Sequence, residues 1–221
     1  MTLYIIRHGE TALNRQNIVQ GSGVDSDLNN TGHRQAALFF NYYQNIRFDL
    51  VITSALKRTH QTVAPFLKHL SARKPHLIDF DSTESHVIKD KKWLQMAELN
   101  EISWGINEGK ASNPESEIYF KQLMGDWQSG VYESRIEGGE SAAELRERLE
   151  KFVAFIKKMD KKQNVLVCTH GRTLLCLLTI LQGEPLSKMV GFKHQNTCLY
   201  KAHLVEDEFI FELENDVRHL G

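Results

Sequence analysis

Three short apolar runs set the terms for this chain: LYII at 3–6, FDLVIT at 48–53 and VLVC at 165–168. Each has the length of one strand and lacks the alternation of a strand with one wet face, so each reads as buried on both sides. A sheet of that kind needs helices above and below it, and helical patterns follow each run. NNTGH opens a helix over 30–45 with Ala37, Phe40 and Tyr43 at near-helical spacing. Ser54 stands where an N-cap would be, before a helix reaching residue 70. Ser141 and Glu144 form an S-x-x-E capping box, and Leu145, Leu149, Phe152, Val153 and Ile156 continue it as one apolar stripe. An apolar helix follows His170-Gly171 to residue 181.

The remaining segments are less regular. Residues 14–29 read as a loop, 77–80 as a short strand, 89–92 as a solvated charge run, and 197–205 with 208–213 as a terminal hairpin. The expected fold is α/β: a single three-layer domain over 1–221, with a mostly parallel central sheet and helices on both faces. A polar excursion at 106–137, helical near 115–127, is expected to lie over the active site. A length of 221 residues supports one large domain with a real core.

Bulk charge narrows the partners. A formal net charge of −1 supplies no field for nucleic acid or a membrane surface, and the longest apolar helix candidate, 173–181, is too short to cross a bilayer. Cys168, Cys176 and Cys198, an odd number in apolar surroundings, read as reduced core thiols. With no leader-like segment after Met1, a cytoplasmic location is expected. A homodimer stays open. No histidine or cysteine spacing suggests zinc, and no cofactor is implied.

The chemistry sits where the strands end. Arg7-His8-Gly9 follows LYII, Ser54 and Arg58 follow DLVI, and Thr169-His170-Gly171 follows VLVC. Open α/β sheets bind ligands in the crevice at the carboxyl ends of their strands, so two arginines and two histidines can converge there. Arginine's planar fork matches phosphate oxygens. A histidine among arginines resists protonation and keeps a ring nitrogen free to act as a nucleophile. Glycine after each histidine admits close backbone approach and a positive φ.

RHGET at 7–11 with Asn14 resembles the signature of the histidine phosphatase superfamily, in its phosphoglycerate mutase-like branch. The resemblance continues through QGSGVDSDLNNTGHRQA at 20–36, VITSALKRTHQT at 51–62, ELNEISWGINEG at 98–109, GGES at 138–141 and VLVCTHGRTL at 165–174, in the family's order. Two departures, no proline at 25–28 and Thr169 in place of the commoner serine, leave the chemical groups intact. The resemblance implies that His8 is the nucleophile and becomes phosphohistidine. It implies that Arg7, Arg58 and His170 hold the phosphoryl oxygens, with Asn14 adding a hydrogen bond and Gly171 lying against the substrate. Glu101 matches the acid that serves the leaving oxygen and then water, with Glu98 the rival carboxylate.

Blander readings stand beside these. An Arg-His pair can be a structural ion pair, Glu101 a helix cap, Asn14, Gln20 and Gly21 ordinary turn residues, and Trp104 and Trp127 packing groups. The expected function is hydrolysis of a small phosphomonoester. The alternatives are a cofactor-dependent phosphoglycerate mutase and a phospho-ligand-binding module without turnover. The excursion favours hydrolysis: Pro114 is its single proline, and its acids outnumber Lys110, Lys121 and Arg135, a poor setting for a substrate that also bears a carboxylate.

Overall fold

The structure, a computed structural model, describes residues 1–72, 74–78 and 91–221. Its strands are β1 (Thr2–Arg7), β2 (Leu50–Thr53), β3 (His76–Ile78), β4 (Trp93–Met96), β5 (Asn164–Thr169), β6 (Leu199–Val205) and β7 (Glu208–Asp216). Its α-helices are α1 (Ala12–Arg15), α2 (Asn30–Tyr43), α3 (Lys57–His69), α4 (Pro114–Ser129), α5 (Ala142–Lys157) and α6 (Gly171–Leu181). The strands form one seven-stranded sheet in the order β3-β4-β2-β5-β1-β6-β7. The first five run parallel, and the β6–β7 hairpin adds two antiparallel strands at one edge.

Alternate side chains of the central strands serve opposite layers, as strand geometry requires. Leu3 and Ile5 of β1 join Val165 and Val167 of β5 in a core completed by α5 and α6. Tyr4 and Ile6 join Leu166 and Cys168 in a second core, under Phe39 of α2 and Val63 and Phe66 of α3. This is the expected three-layer α/β architecture.

Three expectations need amendment. Ser54 is not the N-cap of α3. The helix begins at Lys57 after Leu56, which makes no side-chain cap. The Lys57 N–H is held instead by Asp25 Oδ1 at 2.8 Å, reaching in from the preceding loop. Second, a helical turn, α1, opened by a reciprocal capping box between Thr11 and Asn14, takes up the first two residues of the expected 14–29 loop. Third, β4 went unread because WLQM carries no clear period. Of the expected strand at 77–80, Leu77 and Ile78 lie in β3, while 79 and 80 fall outside the described residues. In the charge run, Lys91 and Lys92 are exposed, and 89 and 90 lie outside the described residues. The Ser141–Glu144 capping box and the stripe of α5 form as read.

Among the described residues no helix is long and apolar enough to cross a membrane. Cys168, Cys176 and Cys198 are free and buried.

Candidate active site

Strand register assembles the site. Arg7 of β1 lies opposite Thr169 of β5, and Thr53 of β2 opposite Cys168, so the three carboxyl ends emerge side by side. The chain leaves them together: the His8 N–H donates to the Thr169 carbonyl at 2.9 Å and the Ser54 N–H to that of Cys168 at 3.4 Å. His8, Arg58, Glu101 and His170 are all buried, polar groups that need partners or a ligand.

The rings of His8 and His170 stand 5.1 Å apart. His8 Nδ1 lies 2.7 Å from the carbonyl oxygen of Gly9. A carbonyl only accepts, so Nδ1 carries the proton and Nε2 keeps its lone pair. Burial first, then the Arg58 and Arg7 charges, push protonation of this ring well below the ordinary value of 6.5. The result is a neutral imidazole with one bare nitrogen. The Gly9 N–H donates to Thr62 Oγ1 at 2.9 Å, and Asn196 Nδ2 donates to the His8 carbonyl at 2.9 Å. His8 is thereby fixed from both sides of its backbone.

His170 has the opposite tautomer for the same kind of reason. Arg58 Nε, which can only donate, lies 3.0 Å from its Nδ1, so the proton sits on Nε2 and donates to Ser54 Oγ at 2.8 Å. Ser54 passes the chain on. It accepts the Leu56 N–H, and its own proton goes to Thr59 Oγ1, because Thr59 spends its proton on the Leu56 carbonyl. Both ring nitrogens of His170 are therefore engaged within the protein. The direct grip on phosphoryl oxygens expected of it has no free ring N–H here, and its contact is with Arg58. Burial, then Arg58, keeps this ring uncharged as well.

The two arginines are fixed but not spent. Arg58 donates from Nη1 to the Val24 carbonyl at 2.6 Å and from Nη2 to that of Gly21 at 3.3 Å. Three of its five N–H groups are used and two remain. Arg7 donates from Nη1 to His194 Nδ1 at 3.1 Å, and its buried Nε has no partner among the described residues. An orphaned buried guanidinium N–H calls for an acceptor that arrives with a ligand. Asn14 is likewise held through its oxygen, which accepts the Thr11 N–H at 3.2 Å and Asn196 Nδ2 at 3.3 Å, leaving its amide N–H groups to offer.

Glu101 reaches the site from the turn after β4. Its Oε1 accepts the N–H groups of Ile102 at 3.1 Å and Thr173 at 3.0 Å, and its Oε2 the Arg172 N–H at 3.1 Å. The last two belong to the first turn of α6, where a carboxylate meets the positive end of a helix. Gly171 keeps the adjoining space clear. A Cβ there would lie 3.1 Å from His194 Cε1, 3.4 Å from Glu101 Oε2 and 3.6 Å from Arg7 Nε. Neither Gly9 nor Gly171 has the positive φ anticipated. Gly9 is needed for packing, since a Cβ would come 2.8 Å from the Gly32 carbonyl.

The structure thus brings together Arg7, His8, Asn14, Arg58, Glu101, His170 and Gly171. Glu98, the rival carboxylate, precedes the turn; its backbone carbonyl takes a hydrogen bond from Arg148 Nη1. Gln20 and Gly21, read as turn residues, prove closer to the chemistry: Gln20 Nε2 donates to Thr11 Oγ1 at 2.8 Å, and Gly21 supports Arg58. His194 and Asn196 carried no sequence signal beyond their residue type, while Thr62 and Arg172 lie within matched stretches but were assigned no role. Among the described residues no group of three or more His, Cys, Asp or Glu side chains is placed to hold a metal ion.

Relatives match this frame. The chain is 32% identical over 177 residues to the mouse protein named Fructose-2,6-bisphosphatase TIGAR, covering 78% of this chain and 58% of that one. It is 28% identical over 228 residues to a Yersinia enterocolitica protein named "Probable phosphoglycerate mutase GpmB", covering 100% and 95%. The crystal structure of the alpha-ribazole phosphatase from Shigella flexneri superposes with a TM-score of 0.77 at 23% identity, over 98% of this chain and 96% of that one, a likeness of fold. The sequence model of the histidine phosphatase superfamily, branch 1, matches residues 3–217, and the chain belongs to that superfamily.

Proposed function

We propose that this chain hydrolyses a small phosphomonoester through a phosphohistidine at His8. The observation that carries the reading is the pinned tautomer: Nδ1 tied to the Gly9 carbonyl, Nε2 bare, in a ring kept neutral by burial and two arginines. The Nε2 lone pair attacks phosphorus in line while the bond to the leaving oxygen breaks. Arg7 Nε and the two spare N–H groups of Arg58 meet the charge on the phosphoryl oxygens, the electrostatic term that dominates such transfers. His170 acts through Arg58, whose Nε it holds, and Asn14 offers its amide. Glu101 gives a proton to the leaving alcohol. It then takes one from the water that attacks the phosphohistidine, releasing phosphate and restoring His8.

Hydrolysis and isomerisation share the first half of this sequence. The full-length similarity to a protein named "Probable phosphoglycerate mutase GpmB" gives the second reading its standing. The compact excursion favours water, because α4 turns Leu123 and Trp127 into the core and builds no long basic arm. A coupled assay for conversion of 3- to 2-phosphoglycerate, run beside a free-phosphate assay, separates the two. Phosphate release from small phosphomonoesters with little isomerisation is expected. Efficient isomerisation with negligible phosphate would establish the mutase.

A further inference from the structure

Arg172 is the cation that this chemistry leaves unused. Its guanidinium lies over three aromatic rings, 6.0 Å from the centre of Trp104 and 5.9 Å from those of Phe120 and Trp127. Its backbone N–H goes to Glu101 Oε2, yet the guanidinium itself makes no hydrogen bond among the described residues. A guanidinium present only to neutralise Glu101 would bond to that carboxylate, and this one does not. The residue is half-buried, and its desolvation is offset by the nearby Glu101 charge and the three ring faces rather than by a hydrogen bond. The rings hold the planar group in place and leave its edge free.

A second free donor lies beside it. His194 accepts Arg7 Nη1 at Nδ1, which places its own proton on Nε2, and that N–H meets no acceptor among the described residues. The Arg172 charge reaches this ring, helping, after burial and Arg7, to push its protonation down to about 4. His194 thus stays neutral and keeps one N–H to donate. His194 Cε1 and Glu101 Oε2 both border Gly171, 3.1 and 3.4 Å from where a Cβ would stand, and the Arg172 guanidinium interacts electrostatically with both groups. If Glu101 protonates the leaving oxygen, this is where the alcohol part of the substrate lies. A groove of about 570 Å³ shares Trp104 and Phe120 with the cradle of Arg172.

We propose that Arg172 and His194 form a second anion-binding subsite, selecting phosphomonoesters whose alcohol carries a further carboxylate or phosphate. The proposal rests on the phosphatase reading for its placement on the leaving-group side. The acids of the excursion do not set the character of this edge. What that excursion brings to this edge is Phe120 and Trp127, which hold a cation. Glu108 of the excursion is engaged by the Trp104 N–H at 2.9 Å.

Binding is measured by calorimetry on His8→Ala, which cannot turn over, with three probes of one carbon skeleton: glycerol 3-phosphate, 3-phosphoglycerate and 2,3-bisphosphoglycerate. The two doubly anionic probes should bind about tenfold or more tightly than glycerol 3-phosphate, the worth of one charge-assisted pair. Adding Arg172→Met, which keeps an apolar stem between the rings, should abolish that advantage and leave glycerol 3-phosphate binding within about threefold. A preference for one doubly anionic probe identifies the anion. Arg172→Lys, which keeps the charge, should retain part of the advantage and covers the case in which the methionine variant does not fold. Equal binding of all three probes, or equal losses for all three in the variants, would overturn the subsite and leave Arg172 as a packing peg. Failure of the wild type to release phosphate from any probe, with the binding preference intact, would count against the phosphatase reading alone.

Discussion

The two sides of the site are built differently. On the phosphoryl side, Arg7, His8 and His170 hang from strand ends whose register is fixed by the parallel sheet, Arg58 sits in the first turn of α3, and a continuous hydrogen-bond chain runs from Arg58 through His170, Ser54 and Thr59 to the Leu56 carbonyl. On the leaving-group side, Glu101, Arg172 and His194 come from a turn, a helix start and a loop before β6, and two of the three keep free donors. The phosphoryl group is common to every phosphomonoester, so a rigid, pre-paid clamp suits it. The alcohol differs between substrates, and loops can vary without disturbing the sheet.

The comparison can be broken from the leaving-group side first. Glu101→Gln should slow alkyl phosphates by about 10²–10⁴, the usual range for a lost general acid, and aryl phosphates far less, because their leaving oxygen needs little protonation. Equal slowing of both would move the acid elsewhere, with Glu98 the first alternative. Initial rates for one substrate of each kind make the measurement.

A smaller effect sharpens the phosphoryl side. His8 and His170 are buried and held neutral, so protonation of either is far harder in the folded chain than in the unfolded one. For a histidine lowered in this way the stabilising contribution is complete above the unfolded value of 6.5 and is lost as pH falls below it. Each ring should take away about 1.4 kcal/mol per pH unit there. Denaturant midpoints from pH 7.5 to 5 should therefore hold steady and then fall, with a shallower fall in His170→Asn. An unchanged slope in that variant would mean that His170 is not held neutral by its pocket.

Much of this architecture was legible in advance. Runs such as LYII and VLVC declare a doubly covered strand because burial on both faces removes the alternation, and the motif residues at their ends follow from where α/β sheets bind ligands. Apart from α1, whose Thr11–Asn14 capping box is local, the missed features depend on distant parts of the chain. Ser54 has the composition of an N-cap, but His170 and Thr59 claim its hydroxyl and Asp25 caps the helix instead. β4 is a strand because β2 and β3 lie on either side of it. Arg172 in sequence is one more charge after a glycine. Only the packing of α4 against Trp104 makes it a caged cation. Tautomers also lie beyond sequence, since each is set by the partner across the ring.

The central claim is that His8 Nε2 carries the phosphoryl group. Rapid-quench mixing of the wild type with a phosphomonoester, followed by peptide mapping, tests it most directly. The account predicts an acid-labile, base-stable adduct on His8 that forms before phosphate appears, and no adduct with turnover lowered by about four orders of magnitude or more in His8→Ala. An adduct on a serine, or phosphate release with no adduct at any quench time and His8→Ala still active, would contradict it.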